Sequence, residues 1–298
     1  MILITGASGF IGKKLLPLIK KEYPKKDVFI LDKKRHDLVS GRGLGKVPKN
    51  PNLVFHLAAA TDTSKRDQRC NDLGTRNLLN ALSEIGPKTH FIFTCSQAIF
   101  SDRHDTKNPI SEKTKPAINN KYGETKLEAE KMLLAESKKK GFKLTIIRLP
   151  TVWGDNPRKN SFLNFLKSLV DKNSIFSRLN WPGKVALINV EDAARFILDA
   201  AQKPAKITSI AVENLTLAEI FEKITIGKGK VYRQIKVPKF VWDLARKLRP
   251  YLKYFEPILP IKIFNYFWRA SIVVDSPLSC KVNLKGTKFT TISKKHER

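Results

Sequence analysis

The chain is short of acid, of cysteine and of uninterrupted apolar sequence. Its 27 Asp and Glu stand against 56 Lys and Arg, a formal net charge of +29. An excess of that size calls for an anionic partner, with nucleic acid or an acidic membrane surface among the classes to weigh. The lysines are spread along the whole length, not gathered in a stripe with stacking aromatics, so no nucleic-acid partner is expected. Three cysteines, Cys70, Cys95 and Cys280, stand without CxxC pairing, which argues against a disulfide framework or a zinc site and fits a reducing compartment. No metal site is expected. No basic-then-apolar leader precedes the first strand pattern, and no uncharged run approaches membrane-spanning length. A soluble, cytoplasmic protein is the expectation.

What is present starts almost at residue 1. Ile2-Leu3-Ile4-Thr5-Gly6-Ala7-Ser8-Gly9-Phe10-Ile11-Gly12 reads as a buried strand turning through glycines into a helix. Gly6 permits the tight turn, Gly9 lets a pyrophosphate approach the backbone, and Gly12 lets helix and strand pack closely, while the helix N-terminus offers free N–H groups to the anion. A glycine-spaced turn alone is weak, since any strand–helix corner favours glycine. Asp32 strengthens it by closing the next apolar run, Val28-Phe29-Ile30-Leu31, where an acid suits a ribose diol. Lys33, Lys34 and Arg35 follow. The acid favours NAD, while the basic triplet leaves NADP open.

Strand and helix patterns alternate through the first half, which predicts an α/β fold with a Rossmann-type doubly wound parallel sheet. Six strands are expected near residues 1–5, 27–32, 36–39, 52–58, 89–95 and 143–149, with helices near 10–22, 68–84 and 121–140. Pro17 falls inside the first helix pattern, where it removes a hydrogen bond. The glycine- and proline-broken segment 33–51 cannot hold a full helix, so that crossover is abbreviated. Asp37 in it either reaches an adenine amino group or caps a turn. Leu57-Ala58-Ala59-Ala60 after the fourth strand lets a flat ring or ribose lie against the backbone, or simply packs tightly. Asn71 ties neighbouring strands together or caps the helix it opens.

The strand Phe91-Ile92-Phe93-Thr94-Cys95 delivers Ser96 to the carboxyl edge of the sheet, where ligands bind in open α/β folds. Further on, Tyr122 and Lys126 share one helix face by their i,i+4 spacing. A phenol is a poor base at neutral pH, and an adjacent ammonium lowers its pKa by stabilising phenolate. Ser96 would share the hydrogen bond to a substrate oxygen, and Tyr122 would exchange the proton as a hydride moves.

With these residues in hand, the chain resembles the extended short-chain dehydrogenases/reductases, the group of NAD-dependent nucleotide-sugar epimerases, dehydratases and reductases. The matching pieces are Thr5 to Gly12, Asp32, His56-Leu57-Ala58-Ala59, Asn71, Ser96, Tyr122 with Lys126, Arg148-Leu149-Pro150-Thr151-Val152-Trp153-Gly154 and Asn189-Val190-Glu191-Asp192-Ala193-Ala194. The resemblance implies catalytic roles for Ser96, Tyr122 and Lys126. It implies that Gly6, Ser8, Gly9, Phe10, Ile11, Gly12, Asp32, Asp37, Leu57, Ala58, Ala59, Tyr122, Lys126 and Pro150 hold the dinucleotide. Ser96, Gln97 and Thr151 would meet the substrate. Where 4,6-dehydratases carry a Thr-Asp-Glu triplet, this chain has Ser96-Gln97-Ala98, which speaks against dehydration. Many UDP-sugar epimerases carry asparagine at the place of Thr151, and that departure leaves the substrate open.

Beyond residue 150 the pattern turns irregular, with short helices near 161–171, 191–202 and 216–224. Residues 1–155, completed by about 186–213, are expected to form the dinucleotide-binding domain, and 156–185 with 214–298 a smaller, mostly helical substrate domain. Arg158, Arg178 and Lys184 can grip a diphosphate or serve as ordinary surface charges, and Asp192 reads as a structural cap. Residues 238–274 mix aromatics and leucines with basic residues, which fits peripheral contact with a membrane, a domain cap or a dimer face. A homodimer is expected from the resemblance. The leading expectation is an epimerase acting on an anionic nucleotide-sugar. The rivals are a reductase of a keto-sugar or other carbonyl and a non-catalytic dinucleotide-binding assembly or membrane-associated protein.

Overall fold

The computed structural model describes all residues except 62–66, 104, 106–107, 158–160, 249–250, 252–253, 255–257, 259–276 and 291–298. Six strands form one parallel sheet: β1 (Ile2–Thr5), β2 (Val28–Leu31), β3 (Leu53–His56), β4 (His90–Ser96), β5 (Lys143–Leu149) and β8 (Ile207–Ser209). Their spatial order is β2-β1-β3-β4-β5-β8, so the winding reverses at β1. A crevice opens there at the carboxyl ends of β1 and β3.

These strands are largely apolar because both sheet faces are covered. Alternate residues serve opposite faces. Leu3, Val54, Phe91, Phe93 and Ile146 pack under α2 (Leu73–Ala81) and α3 (Lys121–Lys140) with Leu78, Leu79, Ala129 and Leu133. Ile2, Ile4, Phe55, Ile92 and Ile147 pack under α1 (Gly12–Glu22) and α5 (Val190–Ala200) with Leu15, Ile19, Ala194 and Ile197. Phe55, Phe91 and Phe93 are fully buried, each contributing roughly 2 kcal/mol of transfer free energy. Pro17 lies within α1, and the helix continues past it to Glu22.

The strand expected at 36–39 does not form. Asp37 turns the backbone instead, its Oδ1 accepting the N–H groups of Val39 at 2.8 Å and Ser40 at 3.4 Å. The carbonyls of Leu38 and Val39 accept from the Asn77 side chain on α2. A local side-chain turn therefore outcompetes a ladder, and the sixth strand is β8, paired to β5.

A second sheet joins β6 (Thr151–Trp153), β7 (Lys184–Asn189), β9 (Glu213–Thr216) and β10 (Pro277–Leu278), with β9 antiparallel to β7. It packs with α4 (Phe162–Asp171) and α6 (Leu217–Gly227) around Trp153, Leu166, Trp181, Leu187, Phe221 and Phe289. The tail reaches this core because Asp192 Oδ2 accepts the Thr287 N–H at 2.6 Å. Asp192 thus secures the tail, while Asn189 caps α5. Helix α7 (Lys239–Leu248) is anchored by Trp242, whose ring lies 4.7 Å from that of Trp181. Among the described residues no helix is long and apolar enough to cross a membrane.

Candidate active site

The turn after β1 cannot be built with side chains at two of its glycines. Gly6 has φ +71°, and a Cβ there would meet the Ala58 nitrogen at 2.7 Å. A Cβ on Gly12 would meet the Gly6 carbonyl oxygen at 2.1 Å. The first turn of α1 is thereby pressed against the end of β1, and the backbone from Gly6 to Gly12 lines the crevice.

That crevice is a cleft of about 1300 Å³. Gly6 through Gly12, Asp32, Asp37, Leu57 to Ala59, Ser96, Tyr122, Lys126, Pro150 and Thr151 all line it. A dinucleotide fits these residues: the bare backbone of the turn, an exposed acid at the end of β2, and the small residues after β3. The Asp32 carboxylate is steadied by the Lys34 N–H at 3.1 Å. Asp37 lines the cleft while capping its turn, and the Val39 and Ser40 N–H groups hold its carboxyl below the usual range.

Ser96 ends β4 and its Oγ accepts the Ala98 N–H at 3.1 Å. Tyr122 opens α3, a helix begun by Asn120, which accepts the Gly123 N–H at 2.8 Å and donates to Ser101 at 2.7 Å. Gly123 permits the close seat: a Cβ there would meet the Ala98 carbonyl at 2.6 Å. Helix α3 is thus docked directly on the turn that follows β4. One turn along, Lys126 is buried; its Nζ donates to the Thr94 carbonyl at 2.6 Å and lies 4.1 Å from the centroid of the Phe93 ring. Burial pushes its pKa down to about 8. Only one of three ammonium donors is committed to Thr94, and Lys126 also lines the cleft.

Under this pair runs a polar chain that sequence reasoning missed. His56 is fully enclosed, its ring bonded to Thr5 at 2.8 Å and Thr75 at 2.9 Å and stacked 5.6 Å from Phe93. Burial pushes its pKa down to about 3, with Lys126 adding to the effect. Asn71 is not the helix cap, a task taken by Asp72. Its amide bonds the Ala60 backbone both ways, at 2.8 and 3.1 Å, and reaches Thr125 on α3 at 3.0 Å. The available signal was a histidine and threonines inside otherwise apolar strand and helix patterns.

Two expected substrate residues differ in place: Gln97 lines the cleft while its side-chain nitrogen is committed elsewhere, and Arg178 lies off the lining. The Gln97 side chain is buried and donates to the Ile210 carbonyl at 2.9 Å, bracing β4 against the end of β8. Arg178 is exposed, its Nε donates to the Arg233 carbonyl at 3.1 Å, and it is absent from the cleft lining. Arg158 lies outside the described residues.

Comparison with known proteins agrees with this architecture. The profile of the "NAD dependent epimerase/dehydratase family" matches residues 2–214. GDP-6-deoxy-D-mannose reductase of Pseudomonas aeruginosa is 30% identical over 154 residues, 49% of this chain and 50% of that protein. UDP-glucose 4-epimerase of Vibrio cholerae is 26% identical over 274 residues, 83% of this chain and 81% of that protein. The chain thus spans about half the length of the first relative and most of the second. Among solved structures, RMD from Pseudomonas aeruginosa complexed with NADPH superposes with a TM-score of 0.64 at 21% identity, covering 79% of this chain and 84% of that one. That likeness shows the fold. With the glycine turn, the acid after β2 and the Ser96–Tyr122–Lys126 set on one cleft, the chain belongs to the NAD-dependent epimerase/dehydratase family of extended short-chain dehydrogenases/reductases, whose members use NAD(P).

Proposed function

We propose that this protein interconverts a secondary alcohol and a ketone on a nucleotide-activated sugar, as a UDP-sugar 4-epimerase does. The observation that carries the reading is the convergence of Ser96, Tyr122 and Lys126 on the cleft that also holds the glycine turn. A bound nicotinamide dinucleotide supplies hydride acceptance and return. Ser96, its oxygen already bonded to the Ala98 N–H, keeps its own hydrogen for the substrate oxygen. Tyr122, as phenolate, takes that oxygen's proton and gives it back, and the Lys126 ammonium stabilises the phenolate before the proton is taken and after it is returned. Asp32 supports NAD over NADP, since a carboxylate repels a 2′-phosphate. Purification without added nucleotide and incubation of the folded protein with UDP-, GDP- and dTDP-sugars, with samples denatured before and after to identify any released dinucleotide, tests this. Stoichiometric released NAD and an inverted sugar are expected. Consumption of added NADPH or NADH by a keto-sugar would replace epimerase with reductase, and inert protein holding a dinucleotide would leave a binding role.

A second element supports contact of the same enzyme with an anionic lipid surface. On α7 only Trp242 is buried, whereas Phe240, Leu244 and Leu248, one helical stripe, are 70%, 54% and 52% exposed beside Lys239 and Lys247. An apolar stripe flanked by lysines on a chain of net charge +29 matches an interfacial helix. Cosedimentation with phosphatidylglycerol-containing vesicles, lost in Phe240→Asp/Leu244→Asp, is expected. Equal behaviour of parent and variant would remove the idea. The remainder of the 238–274 stretch lies largely outside the described residues.

A further inference from the structure

Thr5, His56 and Thr75 form a hydrogen-bond chain whose direction is fixed at every link. The Thr75 hydroxyl donates to the Asn71 carbonyl at 2.6 Å. Its oxygen therefore accepts the hydrogen on His56 Nε2, 2.9 Å away. A neutral imidazole protonated at Nε2 leaves Nδ1 as acceptor, and Thr5 donates to it at 2.8 Å. The Thr5 oxygen in turn accepts the Ala58 N–H at 3.0 Å. Only one tautomer satisfies all four bonds. A doubly protonated ring would aim a second hydrogen at Thr5, whose own hydrogen would then lose its acceptor.

The ladder explains how the chain arises. Thr5 and His56 are neighbours in the β1–β3 register, and His56 and Phe93 are neighbours in β3–β4. One end of the chain touches the cofactor turn: Thr5 precedes Gly6, and Ala58 is the residue that a Cβ on Gly6 would strike. The other end reaches Asn71, whose amide holds Ala60 and Thr125, the residue before Lys126. The imidazole therefore sits midway between the two halves of the site.

We propose that His56 is a positioning residue, its single tautomer fixing the glycine turn through Thr5 and the helix bearing Tyr122 and Lys126 through Thr75 and Asn71. The second arm rests on the reading of Tyr122 and Lys126 as the proton-transfer pair. The first arm is read in cofactor binding alone. A residue that merely filled the core would have no reason to separate these two effects.

Asparagine can place an acceptor near the position of Nδ1, and glutamine a donor near that of Nε2. In the full-length protein, His56→Asn is expected to bind NADH within about threefold of the parent and to lose turnover on the order of tenfold, as one buried hydrogen bond is lost. His56→Gln is expected to show the reverse: NADH affinity falls on the order of tenfold, and turnover at saturating cofactor is the better preserved. Thr75→Val should follow His56→Asn, and Thr5→Val should follow His56→Gln. These threonine variants keep side-chain volume and carry the same split if the histidine variants do not fold. Losses of affinity and turnover in equal proportion, tracking the melting temperature in all four variants, would overturn the proposal. Should the parent turn over no sugar, the reading of Tyr122 fails by itself. NADH titration then still decides the first arm, because equal affinities of His56→Asn and His56→Gln would overturn it.

Discussion

The two walls of the cleft are built on different terms. The wall before residue 150 carries ionisable groups, Asp32, Lys33, His36, Asp37 and Lys126, and its backbone is held by side-chain bonds from Thr5, Asn71, Asp37 and Asn77. The wall after residue 150 is made by Thr151, Val152, Pro157, Ser161, Phe162 and Phe165 with neighbours from β7 and β10, and its described lining has neither Lys nor Arg. The dinucleotide varies across the family by no more than the 2′-phosphate that separates NADP from NAD, so a wall that holds it meets a nearly constant set of phosphates, riboses and rings. The second must fit one substrate among many. Chemistry fixed by a constant ligand leaves a constant trace, and selectivity does not.

The largest test of the first wall is Tyr122→Phe. Loss of the phenolic proton is expected to lower turnover by roughly a hundred- to ten-thousandfold while cofactor affinity stays within a few fold, since proton transfer and not binding is removed. Single-turnover assays beside NADH titration check both. Unchanged turnover would place the chemistry elsewhere. Next is Gly12→Ala, which forces a Cβ onto the Gly6 carbonyl. Backbone cannot yield as a flexible side chain does, so a loss of about 2 to 4 kcal/mol in stability and of cofactor binding is expected, read by denaturant unfolding and NADH titration.

The same contrast accounts for what could be read from sequence. The doubly wound sheet was legible because buried parallel strands are largely apolar runs and a flanking helix such as α1 carries 3.6-residue periodicity, with Ile11, Leu15, Leu18 and Ile19 on the core side. The strand at 36–39 misled because Leu38 and Val39 look apolar, whereas Asp37 and Asn77 had already claimed their backbone groups. The second sheet gave no pattern: β6 and β9 have three and four residues, and they pair with β7 across long stretches of chain. The residues on the cleft were marked by family spacing, yet spacing cannot say that Gln97, on the cleft, commits its amide nitrogen to the Ile210 carbonyl or that Arg178 stays off the lining. The Thr5–His56–Thr75 chain is assembled by strand register, which no short motif records.

Lys126 separates function from stability within the first wall. Its pKa falls from 10.5 unfolded to about 8 folded because burial penalises the ammonium. Below about pH 8 the charge is buried in full and costs stability. Between about 8 and 10.5 the folded state binds fewer protons than the unfolded one, so stability rises with pH. Lys126→Met is therefore expected to abolish activity and yet stabilise the cofactor-free protein at neutral pH by on the order of 2 to 3 kcal/mol, with the gap to the parent closing as the pH rises through that window. Denaturant unfolding across pH checks it. A less stable variant at neutral pH would mean that the Thr94 and Phe93 contacts outweigh the desolvation of the ammonium.

The smallest effects are expected on the second wall, and they distinguish two arginines that sequence treats alike. A sugar diphosphate needs cations, and none stands on the described part of this wall. Arg158 and Lys159 follow Pro157 and precede Ser161, both of which line the cleft. Arg158→Ala/Lys159→Ala is accordingly expected to raise the KM for a nucleotide-sugar about tenfold, less at high salt, with cofactor affinity unchanged. An unmoved KM would favour a carbonyl substrate without a diphosphate. Arg178 lies in the short turn Ile175–Arg178, exposed, its Nε spent on the Arg233 carbonyl. Arg178→Ala should leave both KM and cofactor affinity within about twofold, since an exposed side chain off the cleft has only a weak, screened field to offer an anion inside it. A tenfold rise in KM for this variant would instead show that the substrate reaches beyond the cleft to Arg178, and the comparison between the walls would have to be redrawn around it.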